Sequence, residues 1–468
     1  MRSEHTIVAP ATIPGTGAIS IIRVSGPDAF RITDSVVRLA KGTVSEAEGY
    51  TLHYGVIGDL DQVLVSVFRA PHSYTGEDSV EISTHASAYI VQEVVRLLIA
   101  AGASFAEPGE FTRRAFLNGK MDLAQAEAVA DVIASGNAAA HRVAMNQLKG
   151  GFSRELTTLR EELLEMASLL ELELDFSEED VEFADREKLI GLLEGGKKHI
   201  DTLAASFHQG NLVKNGVPVA IVGPANAGKS TLLNALVGEE RAIVTDIPGT
   251  TRDTLEETLT LGGILFRFID TAGIRASEDT VEKLGIERSL QKISQAEIVL
   301  IMLDGRAALE EMQAELQGLL EHVKAASAKA FILLNKTDLL SADECNKKVN
   351  GINSFVTSLD IQCETLCISA KKEPALEELK EKLLSAEKSL IPNAETTFVT
   401  NVRHFEALQN ASSTLAACLQ ALSLGIPSDL VAEDLRRALS SINAILGTDL
   451  LDPESILQNI FSKHCIGK

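Results

Sequence analysis

The chain has 468 residues, which at ~150 residues per domain predicts about three domains. Hydrophobic residues make up 45% and charged residues 23%, an ordinary globular balance that excludes wholesale disorder. Sixty-six acidic against 43 basic side chains leave a net charge of −23, which excludes a general nucleic-acid coat, because phosphate binding relies on clustered Lys and Arg. Any RNA contact is then local, or shared with a more basic partner. The five cysteines (Cys345, Cys363, Cys367, Cys418, Cys465) are few and odd in number, against a disulfide framework, and Cys363 and Cys367 lack the second pair that a zinc site needs. The longest apolar runs, such as Ile298–Leu303, fall far short of the ~20 residues that span a bilayer. Glu4 and His5 precede no apolar signal-peptide core. A soluble, cytoplasmic chain without membrane contact is expected.

In chain order, residues 1–118 read as mixed α/β. Thr6–Ala9, Gly17–Val24, Val63–Phe68 and Ser79–Ser83 carry strand patterns, with breaks at Pro14-Gly15 and Gly26-Pro27, and helical spacing begins near residue 88. Residues 119–212 are predicted helical. Leu156, Leu159, Leu163, Met166, Leu170 and Leu174 recur at steps of three and four, one apolar face of a long helix. Residues 154–190 hold 13 acids and 4 bases, so the other face is acidic: a solvated surface, or a docking face for a basic partner. Residues 213–380 alternate strand and helix, the mark of a parallel sheet. Residues 381–468 return to helices, one opening at Pro427-Ser428 and stopped by Gly447, another with Asp452 as N-cap and Pro453 at its first position. The simplest assembly joins the two helical blocks into one discontinuous domain, with the α/β block inserted.

That inserted block carries the chemistry. The strand Pro218–Val222 runs into Gly223-Pro224-Ala225-Asn226-Ala227-Gly228-Lys229-Ser230, and a helix follows from Thr231. This is G-x4-G-K-S between a strand and a helix, the P-loop arrangement: backbone N–H groups surround phosphates, Lys229 reaches the β/γ oxygens and Ser230 ligates magnesium. Asp270-Thr271-Ala272-Gly273 follows the strand Ile264–Ile269, where a carboxylate can hold the magnesium shell and the Gly273 amide can meet a γ-phosphate. Asn335-Lys336-Thr337-Asp338 follows the strand Ala330–Leu334. A carboxylate there can accept both N1–H and N2–H2 of guanine, a donor pair that adenine lacks, and buried polar groups left unpaired reject the wrong base. Ser369-Ala370-Lys371 completes the base pocket. Four motifs in this order predict a guanine-nucleotide hydrolase.

Its catalytic machinery has a gap. Small Ras-like GTPases place a water-orienting glutamine just after the D-x-x-G glycine, but here the residue is Ile274. The polar loop Thr245-Asp246-Ile247-Pro248-Gly249-Thr250-Thr251-Arg252-Asp253 stands where a first switch belongs, with Thr251 as a second magnesium hydroxyl. Glu282 is either an ordinary surface acid or a group acting through water.

At this point the chain resembles the tRNA-modification GTPase family MnmE (TrmE). The likeness spans the whole length, through Ala9–Gly15, Ser73–Asp78, Pro108–Thr112, Ala115–Glu127, Asp246–Asp253 and Phe461–Lys468. It implies a multidomain α/β plus all-α fold: a folate-binding-type α/β N-terminal dimerisation domain (1–118), a discontinuous helical domain (119–212 and 381–468) and an inserted Ras-like P-loop GTPase domain (213–380). It further implies a homodimer that works with an FAD-dependent MnmG-type protein, in a heterotetramer or larger complex. Together they add a (carboxymethyl)aminomethyl group at carbon 5 of the wobble uridine of certain tRNAs, using a one-carbon unit from a 5-formyl or 5,10-methylene tetrahydrofolate. By position the resemblance assigns potassium to Asn226, Thr245, Ile247 and Thr250, water orientation to Glu282, and folate to Arg23, Glu81, Lys120 and Lys468. Without it, each of the four folate residues reads first as an ordinary surface charge.

Two departures stand out: His85-Ala86-Ser87 where relatives often have His-Gly-Gly, and Pro224-Ala225 where many have Arg-Pro. Cys465 fits a buried structural cysteine or a reactive thiol, and its C-a-a-X context suits prenylation poorly. The competing reading is a ribosome-assembly timing GTPase without a covalent product. Such proteins usually append a basic RNA-binding domain, whereas the appended parts here are helical and acidic. A membrane-remodelling GTPase would need a basic amphipathic helix or a lipid anchor, and neither is visible.

Overall fold

The structure is a computed structural model that describes residues 5–175, 186–239, 257–269, 290–371, 373–390, 397–424, 426, 428–448 and 467. Its strands are β1 (Ile7–Pro10), β2 (Gly17–Ser25), β3 (Arg38–Leu39), β4 (Thr51–Ile57), β5 (Asp61–Phe68), β6 (Ser79–Ala86), β7 (Ser104–Phe105), β8 (Val217–Val222), β9 (Glu257–Leu261), β10 (Ile264–Phe268), β11 (Ile298–Asp304), β12 (Lys329–Asn335) and β13 (Cys363–Cys367). Its helices are α1 (Ala29–Val36), α2 (Ala88–Ala100), α3 (Glu110–Leu117), α4 (Leu123–Ala134), α5 (Ala138–Leu148), α6 (Gly151–Asp175), α7 (Arg186–Asn215), α8 (Lys229–Glu239), α9 (Leu309–Ala326), α10 (Ala342–Ser358), α11 (Glu373–Leu390), α12 (Val402–Ser423) and α13 (Ser428–Leu446). The chain divides into two compact units, one of Met1–Ala134, Ala144–Thr202 and Arg403–Lys468, the other of Ser135–Val143 and Leu203–Val402.

The first unit holds a seven-stranded sheet in the order β3-β4-β5-β6-β2-β1-β7, antiparallel except where β1 pairs with β7. Alternation along β5 buries Val63, Val65 and Val67 and leaves Leu64 exposed. With Ile22, Val24, Val80 and Ile82 these residues pack against Ile32 of α1 and Val94 and Leu98 of α2. The opposite face carries Leu52, Ser66, Glu81 and Arg23 in direct register across four strands, beside exposed Tyr54 and Leu64. In the helical part, Leu156, Leu159, Leu163, Met166 and Leu170 of α6 are all buried, and α13 lies against that helix. Arg160 donates to Asn443 Oδ1 at 2.7 Å, and Glu127 of α4 meets Arg403 and His404 of α12 at 2.8 and 2.6 Å. Gly447 stops α13 at φ +80, as the spacing predicts, where a Cβ would also stand 2.8 Å from Leu123 Cβ.

The second unit is built on a six-stranded sheet, β13-β12-β11-β8-β10-β9, parallel apart from β9 against β10. Apolar cores lie on both faces, so every residue of β8 and the first six of β11 are buried. Such strands read as continuous apolar runs rather than alternating ones. Among the described residues, no helix is long and apolar enough to cross a membrane, and no group of three or more His, Cys, Asp or Glu could hold a metal.

Candidate functional site: loops at the ends of the parallel strands

The phosphate-type loop begins where β8 ends. Gly223 has φ +136, and a Cβ there would stand 2.2 Å from the Met302 carbonyl oxygen of β11, so only glycine lets the chain turn this close to its neighbour. Gly228 repeats the constraint at φ +102, with a Cβ position 2.3 Å from Asn335 Nδ2. Between them Asn226 is left-handed at φ +62, a conformation that Asn tolerates better than most residues. Helix α8 starts at Lys229, whose ammonium donates to the carbonyls of Gly223 (2.8 Å) and Pro224 (2.7 Å). Burial pulls its pKa below the ordinary lysine value. Ser230 and Thr231 follow on the exposed first turn.

The two base-type loops close on this one. Asn335, buried at the end of β12, donates from Nδ2 to the Ala227 carbonyl (2.7 Å) and accepts at Oδ1 from the Ala370 amide (3.0 Å). One side chain therefore ties all three loops. Lys336, at φ +63, donates to the Asn226 carbonyl at 2.7 Å. Thr337 donates from N and Oγ1 to the Ile368 carbonyl, at 3.3 and 2.9 Å. Asp338 is exposed in the short 3-10 turn that follows, Ser369 and Ala370 are buried, and Lys371 is exposed. Asn226, Ala227, Gly228, Lys229, Asn335, Lys336, Thr337 and the Ser369–Ala370 loop thus come together at the carboxyl ends of parallel strands, where open α/β sheets bind their ligands. Thr245, Asp246, Ile247, Pro248, Gly249, Thr250, Thr251, Asp270, Thr271, Ala272, Gly273 and Glu282 lie outside the described residues, as do Cys465 and Lys468.

One participant escaped the motifs. Asp304, at the end of β11, accepts from Lys336 Nζ at 2.8 Å and from Arg306 Nη2 at 2.7 Å. Arg306 foremost, then Lys336, hold its carboxyl well below the usual range against the opposing effect of burial. The signal available was a lone acid ending an apolar strand on the loop-bearing edge of the sheet. Nearby, the free thiols of Cys345 and Cys367 have their Sγ atoms 2.8 Å apart, and burial with this contact pushes the Cys367 thiol up to about 12.

In the N-terminal sheet, Arg23 and Glu81 face each other across β2 and β6. Arg23 donates from Nε (2.9 Å) and Nη2 (2.8 Å) to Glu81 Oε1, and from Nη1 to the Gly467 carbonyl (3.2 Å). Its guanidinium lies 5.2 Å from the Tyr74 ring centre and 5.5 Å from that of Phe111. Gly467 has φ +95, and a Cβ on it would stand 2.1 Å from the Pro10 carbonyl oxygen. Lys120 donates to the Pro71 carbonyl at 3.0 Å, on the loop that carries Tyr74, and not to the Arg23–Glu81 pair. At the His85-Ala86-Ser87 departure, Ala86 is buried and His85 is held by Asp61 Oδ1 at 2.7 Å.

A parallel sheet with a glycine loop opening onto a helix, and two further loops closed on it by one asparagine, defines a P-loop GTPase domain. The model of the MnmE helical domain matches residues 123–465, and that of the GTP-binding protein TrmE N-terminus matches residues 6–120. The tRNA modification GTPase MnmE of Bacteroides fragilis is 49% identical over 472 residues, covering 100% of both chains. That of Flavobacterium johnsoniae is 48% identical over 479 residues, again with 100% of both chains covered. Among solved structures, the G domain of the T. maritima FeoB iron transporter aligns with 36% of this chain and 98% of its own at 24% identity, with a TM-score of 0.26. The chain belongs to the MnmE family of tRNA-modification GTPases.

Proposed function

We propose that the chain hydrolyses GTP as its part in modifying carbon 5 of the wobble uridine of certain tRNAs. The observation that carries this reading is the Asn335 side chain, which joins Ala227 of the phosphate loop to Ala370 of the base loop. Asp338, exposed two residues after Lys336, offers the carboxylate that accepts guanine N1–H and N2–H2. Lys229 turns its ammonium from the Gly223 and Pro224 carbonyls to the β/γ-phosphate oxygens, while the N–H groups that open α8 surround the phosphates. The exposed Ser230 hydroxyl suits magnesium, a hard cation that takes oxygen ligands, with Thr251 as its second hydroxyl.

Asn226 is exposed and left-handed, and Lys336 holds its backbone carbonyl, so its side-chain amide oxygen is left to face a cation. With Thr245, Ile247 and Thr250 it makes an oxygen set suited to potassium. A monovalent cation there supplies positive charge beside the β/γ-phosphates, as an arginine finger would. Glu282 orients the attacking water in place of the glutamine that Ile274 replaces.

Arg23, Glu81, Lys120 and Lys468 hold a 5-formyl or 5,10-methylene tetrahydrofolate. Arg23 keeps N–H groups on both Nη atoms beyond those given to Glu81 and Gly467, and two aromatic rings flank it. The exposed Leu52, Tyr54 and Leu64 on the same sheet face favour a second copy as partner, giving the homodimer. An FAD-dependent MnmG-type protein and tRNA complete the complex, in the cytoplasm. The relatives' name, tRNA modification GTPase, supports the reading.

The test is GTP turnover in potassium against sodium, for wild type and Glu282→Ala. Fast turnover in potassium, slow turnover in sodium and collapse in the variant are expected. Cation-indifferent turnover, or a variant that hydrolyses normally, would overturn the mechanism.

A further inference from the structure

Asp304 belongs to none of the nucleotide motifs, yet it sits in the wall that holds them. Strands β11 and β12 run in register, Asp304 beside Asn335, and the Gly305 amide donates to the Asn335 carbonyl at 2.8 Å. A Cβ on Gly305 would stand 2.7 Å from that same oxygen, so the glycine brings the Asp304 backbone against the base loop. Lys348 of α10 pins the turn from outside, donating to the Gly305 and Ala307 carbonyls at 2.6 and 2.7 Å. Arg306 returns to its neighbour and donates from N and Nε to Oδ1 (both 3.0 Å) and from Nη2 to Oδ2 (2.7 Å). The carboxylate is therefore fixed in plane and in place. Its remaining partner is Lys336 Nζ, 2.8 Å from Oδ2, and that ammonium also donates to the Asn226 carbonyl.

A lysine ammonium ends a flexible four-carbon stem and needs an anchor to hold one geometry. We propose that Asp304 is that anchor, a positioning residue of the guanine-nucleotide site. It holds Lys336 over Asn226, so that the base loop and the phosphate loop keep one spacing whatever the nucleotide. The Asp304–Lys336–Asn226 chain also clamps the backbone of the residue whose side chain is assigned to the monovalent cation. The competing role for Asp304 is purely local, as the acceptor that folds its own turn through Arg306. The two roles differ in one respect. An anchor acts through Lys336 and does nothing once Lys336 is gone, whereas a prop for the turn matters with or without it.

The proposal rests on the reading that guanine nucleotides bind at these loops, and the experiment separates the two. Binding and dissociation of a fluorescent GDP are measured for the full-length wild type, Asp304→Asn, Lys336→Met and the double variant. Wild type that binds no guanine nucleotide would sink the nucleotide-site reading itself. With wild-type binding established, Asp304→Asn is expected to weaken affinity about tenfold, the scale of one charge-assisted hydrogen bond, mainly through faster dissociation. In the Lys336→Met background the same change is expected to alter affinity less than twofold. Undiminished affinity of Asp304→Asn overturns the proposal. So does a further tenfold loss in the double variant, which would return Asp304 to the local role. Should Asp304→Asn fail to fold, as judged by circular dichroism, Asp304→Glu takes its place, moving the charge off Lys336 while keeping it, under the same two criteria.

Discussion

Asn335→Ala is the most informative single change in the second unit. The side chain is 3% exposed and makes two hydrogen bonds, to the Ala227 carbonyl and from the Ala370 amide, both on buried residues. Each bond contributes about 1 kcal/mol net, and a buried group left without its partner costs about 1–3 kcal/mol, so the loss is on the order of 2–4 kcal/mol. Asn335→Asp is sharper still. It preserves the acceptor for Ala370 but sets a carboxylate oxygen against the Ala227 carbonyl, 2.7 Å from the present donor. It is expected to destabilise at least as much as alanine. The assay is urea unfolding with and without GDP. A chain of several domains does not unfold in one step, and the transition that GDP moves identifies the relevant one. At a slope of about 2 kcal/mol/M, the midpoint of that transition should fall by ~1–2 M for Asn335→Ala, with GDP affinity down at least tenfold. A midpoint within about 0.3 M of wild type, or an aspartate variant as stable as wild type, would refute the idea that this residue ties the loops.

Two further outcomes are expected elsewhere in the molecule. Burial alone would raise the Glu127 carboxyl, but His404 and then Arg403 outweigh it and hold it at about 2 against an ordinary 4.5. The folded value is the depressed one, so the stabilisation, on the order of 3 kcal/mol, is present above pH 4.5 and drains away as pH falls towards 2. Glu127→Gln should flatten the acid limb of a circular-dichroism titration in that window, and an unchanged slope would count against the cluster. Gly467→Ala puts a Cβ into the Pro10 carbonyl at a backbone angle that alanine rarely adopts, and should release the segment from Arg23. Limited proteolysis near residue 467 should quicken sharply, and cleavage as slow as in wild type would mean that the contact holds nothing.

Much of the nucleotide site was readable in the sequence because its backbone demands particular residues. Gly223 and Gly228 are required by a carbonyl and an amide that leave no room for a side chain, so the motif is a steric fact before it is a chemical one. The apolar face of α6 was equally readable, since Leu156 to Leu170 must share one side of a helix to be buried together. Hidden were the features that depend on which strand lies beside which. The Arg23–Glu81 pair exists because β6 lies next to β2, across 58 residues of chain, and only the resemblance drew attention to it. Asp304 reads in sequence as an ordinary strand end, because its partner Lys336 lies 32 residues away, just past the end of the next strand. The pairing of Glu127 with His404 spans 277 residues and carries no local pattern at all.

The bond from Arg23 to the Gly467 carbonyl also sets an order in time. Its two ends are 444 residues apart, so at about 5–20 residues per second the donor waits roughly 20–90 s on the ribosome before its acceptor exists. The N-terminal sheet, whose strands all lie within the first 105 residues, has its pairing partners long before then. A chain halted between Leu203 and Val402 of the second unit therefore presents Arg23 bound to Glu81 alone, with the seat beside Pro10 still vacant. Finished and unfinished molecules differ at this spot, on the part of the protein that was made first.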